Sequence, residues 1–189
     1  MSTTPATPPQ YLPLSLAEAK LHCRVDGSED DALFTGVYIP AATQMCQQML
    51  GRSIMAQAWK RSAEYFEPAI RLLWPAVLSV TSVVYVDVDG ATQTLDPSAY
   101  VLSGDTLTPV DVWPEVRPGP GAVVVTYQAG FATGNEAAQQ AAVPAAIKSW
   151  LLLTVGTMYA HRESIQAGVS IASIQGQFVD RLLDPYRVY

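Results

Sequence analysis

Charge is what this sequence has least of. Lys and Arg number 11, Asp and Glu 17, and together they make up 15% of 189 residues, against about 25% in a typical soluble protein. A surface so thinly defended by charge is open to contact with other protein. The formal charge of -6 and the scatter of the cations exclude a tight hold on a phosphate backbone, which needs clustered Lys and Arg. Lys60 and Arg61 are the nearest thing to a pair, and they read as the solvated edge of a strand.

Cysteine and histidine are nearly as scarce. Cys23 and Cys46 stand alone, too few for a disulfide framework. On two helices folded back on each other they would lie roughly 20 Å apart, so no bridge is expected and a reducing compartment fits. His22 and His161 are the only imidazoles, without the paired His or Cys spacing of a zinc site. No Gly-x-Ser-x-Gly elbow or Gly-rich phosphate loop is present. Catalytic residues, metals and cofactors are therefore all expected to be none.

Long apolar runs are missing too. Val143 to Ala160, the most apolar stretch, contains Lys148, Ser149, Thr154 and Gly156, whereas a membrane span needs about 20 predominantly apolar residues. Residues 1–10 have neither a positive charge nor an apolar run, which argues against a signal peptide. Their Thr, Ala and Pro content predicts a disordered arm over residues 1–12. The expectation is a soluble, intracellular protein.

What is present is pattern. Ser15 followed by Glu18 is a capping box that opens a first helix from Leu16 to Val25, broken by Asp26 and Gly27. Ser28 and Asp31 open a second helix that reaches Leu50 and ends at Gly51, with Pro40 kinking or splitting it. From Ile54 to Gln128 the period turns toward two. Strands are predicted at Met55 to Tyr65, Ile70 to Leu73, Val77 to Val88, Thr92 to Leu95, Tyr100 to Ser103, Thr106 to Thr108 and Ala122 to Gln128. In the longest, the even positions Leu78, Val80, Ser82, Val84, Val86 and Val88 read as the buried face. Asp89-Gly90 signals a type I′ hairpin.

After Gly130 comes a polar, alanine-rich stretch read as a loop, and Pro144 then suits the first position of a third helix. Ile147, Trp150, Leu151, Val155 and Met158 form its apolar stripe. Leu152, Leu153 and Tyr159 fall off that stripe. A helix apolar nearly all round is covered on more than one side, in a core or in an interface with another subunit, and for the second case Trp150, Leu152, Leu153 and Tyr159 are the candidate subunit-interface residues. His161 to Glu163 end the helix. Gln166 to Gln177 holds no clean period and reads as a mobile loop, Phe178 to Leu183 as a short last helix, and Tyr186, Arg187, Val188 and Tyr189 as an aromatic tail that docks on something.

Other clusters were weighed for chemistry. Asp26, Glu29, Asp30 and Asp31 stand at a helix start, where carboxylates favour the dipole without any ligand or hydrolytic role. Asp87-Val88-Asp89-Gly90 has the opening of a calcium loop but not its later oxygen ligands, and reads as a turn. Trp59, Trp74, Tyr85, Tyr100, Trp113 and Tyr127 would suit a carbohydrate or small-ligand binding module, the alternative function, but strand alternation assigns them to core packing.

The ordered set of segments resembles a known family. Leu14-Ser-Leu-Ala-Glu-Ala-Lys20 followed by Arg24-Val-Asp-Gly-Ser-Glu-Asp-Asp-Ala-Leu33, then Gly51-Arg-Ser-Ile54, then Ser79 to Gly90 with Leu95 and Tyr100, resembles tailed-bacteriophage head-tail connector (adaptor) proteins. The likeness continues through Val124 to Gly130, Val143 to Ile147 and His161 to Glu163, and in Pro185 to Val188. It implies an α+β fold, an α-helical bundle of N- and C-terminal helices (13–52 and 143–163) with an inserted antiparallel β-rich subdomain (53–130). Residues 164–189 would be the mobile loop and docking tail. It also implies a non-enzymatic subunit of a homo-oligomeric ring, commonly a dodecamer, at the capsid vertex or neck of a virion, made in the host cytoplasm. Its partners would be the portal protein, met by Tyr186 to Tyr189, a tail-side connector or stopper protein, and DNA only in transit through the channel, with no membrane.

Overall fold

Ser15 starts the first helix by the chemistry its sequence offers. Its hydroxyl accepts the Glu18 N–H at 3.2 Å and the Glu18 carboxylate accepts the Ser15 N–H at 2.8 Å, the two halves of a capping box. Helix α1 then runs Leu16–Cys23 and stops at Arg24, which turns left-handed at φ 56°. The computed structural model describes residues 2–161 and 179–188. The expected loop at 166–177, the helix end at Arg162 and Glu163, Phe178 and the tail residue Tyr189 lie outside those residues.

The predicted second helix is present, with a different answer to its proline. Helix α2, Asp31–Leu33, passes into a π turn at Phe34–Tyr38 and on into α3, Ile39–Leu50. The Ile39 N–H reaches back five residues to the Phe34 carbonyl. In a uniform α-helix the ring of Pro40 would collide with the carbonyl of Gly36, and widening the preceding turn relieves that collision. Gly51, at φ 65°, ends α3 with its N–H on the Gln47 carbonyl. Further on, the stretch read as a loop contains helix α4, Glu136–Ala142, because the Asn135 side chain accepts the Ala138 N–H at 2.9 Å and caps it. Helix α5, Ala145–Ala160, follows Pro144. Near the C-terminus, Asp180–Leu182 and Asp184–Tyr186 are single 3₁₀ turns.

The chain divides into two units, one drawn from residues 11–54 and 134–189, the other from 1–10 and 55–133. The first is helical. Its core contains Leu14, Phe34, Ile39, Cys46, Leu50, Ile147, Trp150, Leu151, Val155 and Leu183. The second is built from antiparallel strands β1 (Ser2–Thr7), β2 (Gln57–Ala63), β3 (Ile70–Arg71), β4 (Val77–Val86), β5 (Thr92–Thr94), β6 (Tyr100–Ser103), β7 (Thr106–Pro109) and β8 (Val123–Ala129). They form a five-stranded sheet ordered β1-β2-β8-β4-β5 and a three-stranded sheet ordered β3-β7-β6. The chain is thus α+β, helices with antiparallel sheets.

Four sequence expectations are corrected in the β unit. Residues 1–12 are not a disordered arm throughout: β1 pairs with β2 from Ser2 opposite Ser62 to Thr7 opposite Ala58. Composition missed it because an edge strand needs backbone pairing more than an apolar face, and Pro5 is tolerated where the outer N–H has no partner to serve. Lys60 and Arg61 consequently lie in an interior strand and not at an edge. In β4 the buried face is not the even one. Its pairing with β8 slips between Val77 and Ser79 and again between Val80 and Ser82, and each bulge flips the parity, so Val77, Val80, Val83 and Tyr85 face the core. At the β4–β5 hairpin, Gly90 has φ 88° and its N–H bonds the Asp87 carbonyl at 3.0 Å, while Asp89 keeps a negative φ. The turn is therefore type I with a glycine bulge in place of type I′.

Gly130, just past β8, is required by proximity. A Cβ there would stand 2.8 Å from the Ala56 nitrogen and the Met55 carbonyl carbon, both backbone. Gly130→Ala is expected to cost about 1–3 kcal/mol, and Gly119→Ala, where an added methyl meets nothing, to stay within about 0.5 kcal/mol. Denaturant unfolding of the two variants beside the parent checks both.

Candidate functional site

Several of the residues able to do chemistry are engaged in holding the fold. Of the acidic cluster, Asp31 takes the Lys20 ammonium at 2.6 Å and Asp30 accepts the Tyr159 hydroxyl at 2.9 Å. Asp30 makes no side-chain cap bond to the helix start, so its carboxylate acts across the unit, where the sequence reading assigned it to the dipole. Lys20 also donates to the Gly27 carbonyl at 2.6 Å, closing the loop between α1 and α2. Among the described residues no three His, Cys, Asp or Glu side chains are grouped to hold a metal. His22 is exposed, its ring beside Gly156, where a Cβ would come within 3.2 Å. His161 caps the end of α5 through its N–H to Thr157.

Neither thiol is poised to react. Both are free, and burial pushes Cys46 up to about 12 and Cys23 above its ordinary value. The Asp87 carboxylate accepts the N–H groups of Asp89 and Ala91 and the Gln93 amide, so it shapes its turn.

The six aromatic candidates of the β unit belong to one core. Trp59 and Tyr127 are buried, and Trp74, Tyr85, Tyr100 and Trp113 pack against the same cluster. Trp59 stacks on Trp74 at 4.8 Å and 5°, and Phe66 on Trp113 at 4.6 Å and 7°. The Tyr127 hydroxyl donates to the Leu73 carbonyl at 2.6 Å, and burial pushes its pKa up. Rings engaged face to face with each other are not platforms for a sugar, and the carbohydrate alternative is set aside.

The four interface candidates on α5 divide. Trp150 is 4% exposed and its indole N–H donates to Asp180 at 3.1 Å. Tyr159 stacks on Phe34 at 5.0 Å and 24°. Those two therefore serve the inside of the helical unit, because the α2 and C-terminal segments, which periodicity cannot see, supply their cover. Leu152 is half-buried and Leu153 is exposed. In the tail, Leu183 is buried, Arg187 pairs with Asp184 at 3.4 Å, and the Val188 N–H donates to the Leu50 carbonyl at 2.9 Å. The described part of the tail thus lies along the end of α3. No single helix among the described residues is long and apolar enough to cross a membrane.

This geometry defines a class first: an α+β protein in which several ionisable groups, Lys20, Asp30, Asp31 and Lys148 among them, tie its own segments together. The comparisons add a family likeness over part of the chain. Residues 13–85 match the family described as phage gp6-like head-tail connector protein, the resemblance read from the sequence. No curated protein matches the chain by sequence. Among solved structures, the chain is similar to one from the neck of an empty GTA particle computed with C6 symmetry, with TM-score 0.79 and 19% identity, covering 100% of this chain and 96% of that one. It is similar to one from the virion of a native gene transfer agent particle, with TM-score 0.76 and 20% identity, and to one from the neck of the native particle computed with C12 symmetry, with TM-score 0.71 and 18% identity. Each again covers 100% of this chain and 96% of the other. At such identities the likeness is one of fold.

One carboxylate gives the helical unit a pH dependence. Partial burial raises the pKa of Glu18, but the Ser15 N–H and hydroxyl and the Lys148 ammonium outweigh it and hold the group below its ordinary 4.5. A pKa lowered on folding stabilises above the unfolded value, and that stabilisation is lost as pH falls through the folded one. The stability advantage of the parent over Glu18→Gln is expected to be present above about pH 4.5 and to shrink below it, as thermal midpoints measured across pH 3 to 7 will show.

Proposed function

We propose that this chain is a structural subunit of a phage or phage-like head-tail connector, resident in the neck of the particle at the capsid vertex after synthesis in the host cytoplasm. The observation that carries the reading is the similarity of fold over the full length of the chain to a chain of a particle neck, joined to the connector-family match at residues 13–85. In this reading the helical unit is the bundle of the connector and the β unit its insertion. Copies of the chain form a ring, a dodecamer in keeping with the C12 symmetry of a similar neck. The ring sits under the portal protein, extends the DNA channel and offers its far side to a tail-side connector or stopper protein. DNA is a passenger only: a net charge of -6 repels phosphate and favours passage over retention.

Tyr186, Arg187, Val188 and Tyr189 are the segment we assign to the portal. Release of Val188 from Leu50 would give up one backbone hydrogen bond, worth about 1 kcal/mol, a small cost for a segment that must change partners. Leu152 and Leu153 are the α5 residues we assign to a subunit contact.

Two measurements test this. Particles assembled without the chain should fill with DNA yet lack attached tails, and intact tailed particles from such a deletion would overturn the proposed role. Removing residues 186–189 should lower co-sedimentation with portal-bearing capsids by about tenfold or more, equivalent to at least about 1.4 kcal/mol of binding, with the helical circular dichroism retained. Undiminished co-sedimentation would remove the tail from the portal contact.

A further inference from the structure

From Ala32 to Gly51 the chain carries not one Asp, Glu, Lys, Arg or His. That run includes the π turn and all of α3, and much of it is surface. Val37 is 50% exposed, Met45 45% and Leu33 38%, with Ala32, Thr35, Gly36, Gln44 and Gln48 exposed around them. A helix face that meets water normally presents charge. Five turns without any are fitted to a cover.

Helix α5 has a second outward face of the same neutral character and the opposite texture. Ala145, Ser149, Leu153 and Ala160 are exposed, and at about 100° per residue they fall in one sector of the helix. The only Lys, Arg, Asp or Glu of α5 is Lys148, which is held by Glu18 at 3.1 Å. From another element, the exposed His22 ring lies beside Gly156. One face is large and apolar, the other is small residues around a single leucine. Knobs on the first suit the shallow surface of the second.

A closed ring needs two unlike patches on each subunit, because every contact joins one patch to a different patch of the next copy. We propose that the Leu33–Val37–Met45 face is covered by the α5 outward face of a neighbouring copy of this chain, with Leu153 seated among the three. The inference rests on the ring of the proposed function and names the surfaces that close it.

The test is a mixed crosslink in the full chain carrying Cys23→Ser, on portal-bearing capsids. Val37→Cys protein and Leu153→Cys protein, incorporated together, should give a disulfide-linked dimer under mild oxidation. Either alone should give none, and a chain bearing both should give a ladder of higher multimers. Val37→Glu should fold with unchanged circular dichroism and lose ring occupancy by about tenfold or more, since it would bury an unpaired charge. A dimer from Val37→Cys alone would show a two-fold contact and overturn the proposal. Loss of assembly by Val37→Glu without the mixed crosslink would assign the face to a different protein, also overturning it. If the parent chain rings the portal normally while the mixed crosslink is absent and Val37→Glu assembles, the surfaces are wrong and the connector reading stands. If the parent chain never joins capsids, both fall.

Discussion

The helical unit depends on how an almost wholly apolar helix is held in one rotation. Hydrophobic burial alone does not choose a direction for α5, since apolar residues surround it and the effect is non-directional. Three polar ties supply the direction. Lys148 meets Glu18, Trp150 meets Asp180 and Tyr159 meets Asp30. Lys148 and Tyr159 are 11 positions apart, about three turns, so they share a side of the helix and both reach toward the N-terminal segments. Trp150 lies about 200° around from Lys148 and reaches the C-terminal segment. Between those sides Ile147, Leu151 and Val155 are fully enclosed, each contributing about 1.5–3 kcal/mol by leaving water. The polar contacts fix which leucines go in, and by exclusion which one, Leu153, remains out.

That division explains what could be read from the sequence and what could not. Signals confined to one turn were legible: the Ser15 and Glu18 box, the Gly51 stop, the hairpin at Asp89-Gly90 and the seven strands from Gln57 onward all rest on chemistry within a few residues. The π turn was only half visible. Pro40 announced trouble, but whether a helix kinks, splits or widens depends on Phe34, which is buried and packed on Tyr38 and Tyr159. The parity of β4 was hidden for a related reason. A bulge is a property of a strand and its partner together, and nothing in Val77 to Val86 alone records that Tyr127 pairs with Val80 while Thr126 pairs with Ser82. Strand β1 was invisible because its pairing is made by backbone.

The candidate site was legible mainly in what was ruled out. Carboxylates and aromatics that a motif search would have promoted are engaged with their own unit: Asp31 with Lys20, Asp30 with Tyr159, Trp59 with Trp74. Such contacts are local only in space, joining residues up to 129 positions apart, so one-dimensional spacing gives no sign of them. The reading of α5 as over-apolar was sound, yet it named Trp150 and Tyr159 beside Leu152 and Leu153. Periodicity counts faces of a helix and cannot count how many neighbours the fold will bring to it.

The scarcity of charge has a physical logic once it is located rather than averaged. In the helical unit two ion pairs stand where chain segments meet, Glu18 with Lys148 and Lys20 with Asp31. Exposed pairs of this kind add at most about 1 kcal/mol each, so their value lies in fixing geometry more than in adding stability. The outward faces of α3 and α5 carry almost none. A charged side chain there would be harmless in an isolated subunit and costly in an assembled one, because it would have to shed its water without a partner. In the proposed ring, keeping five turns of this helix neutral serves the assembled state more than the free one.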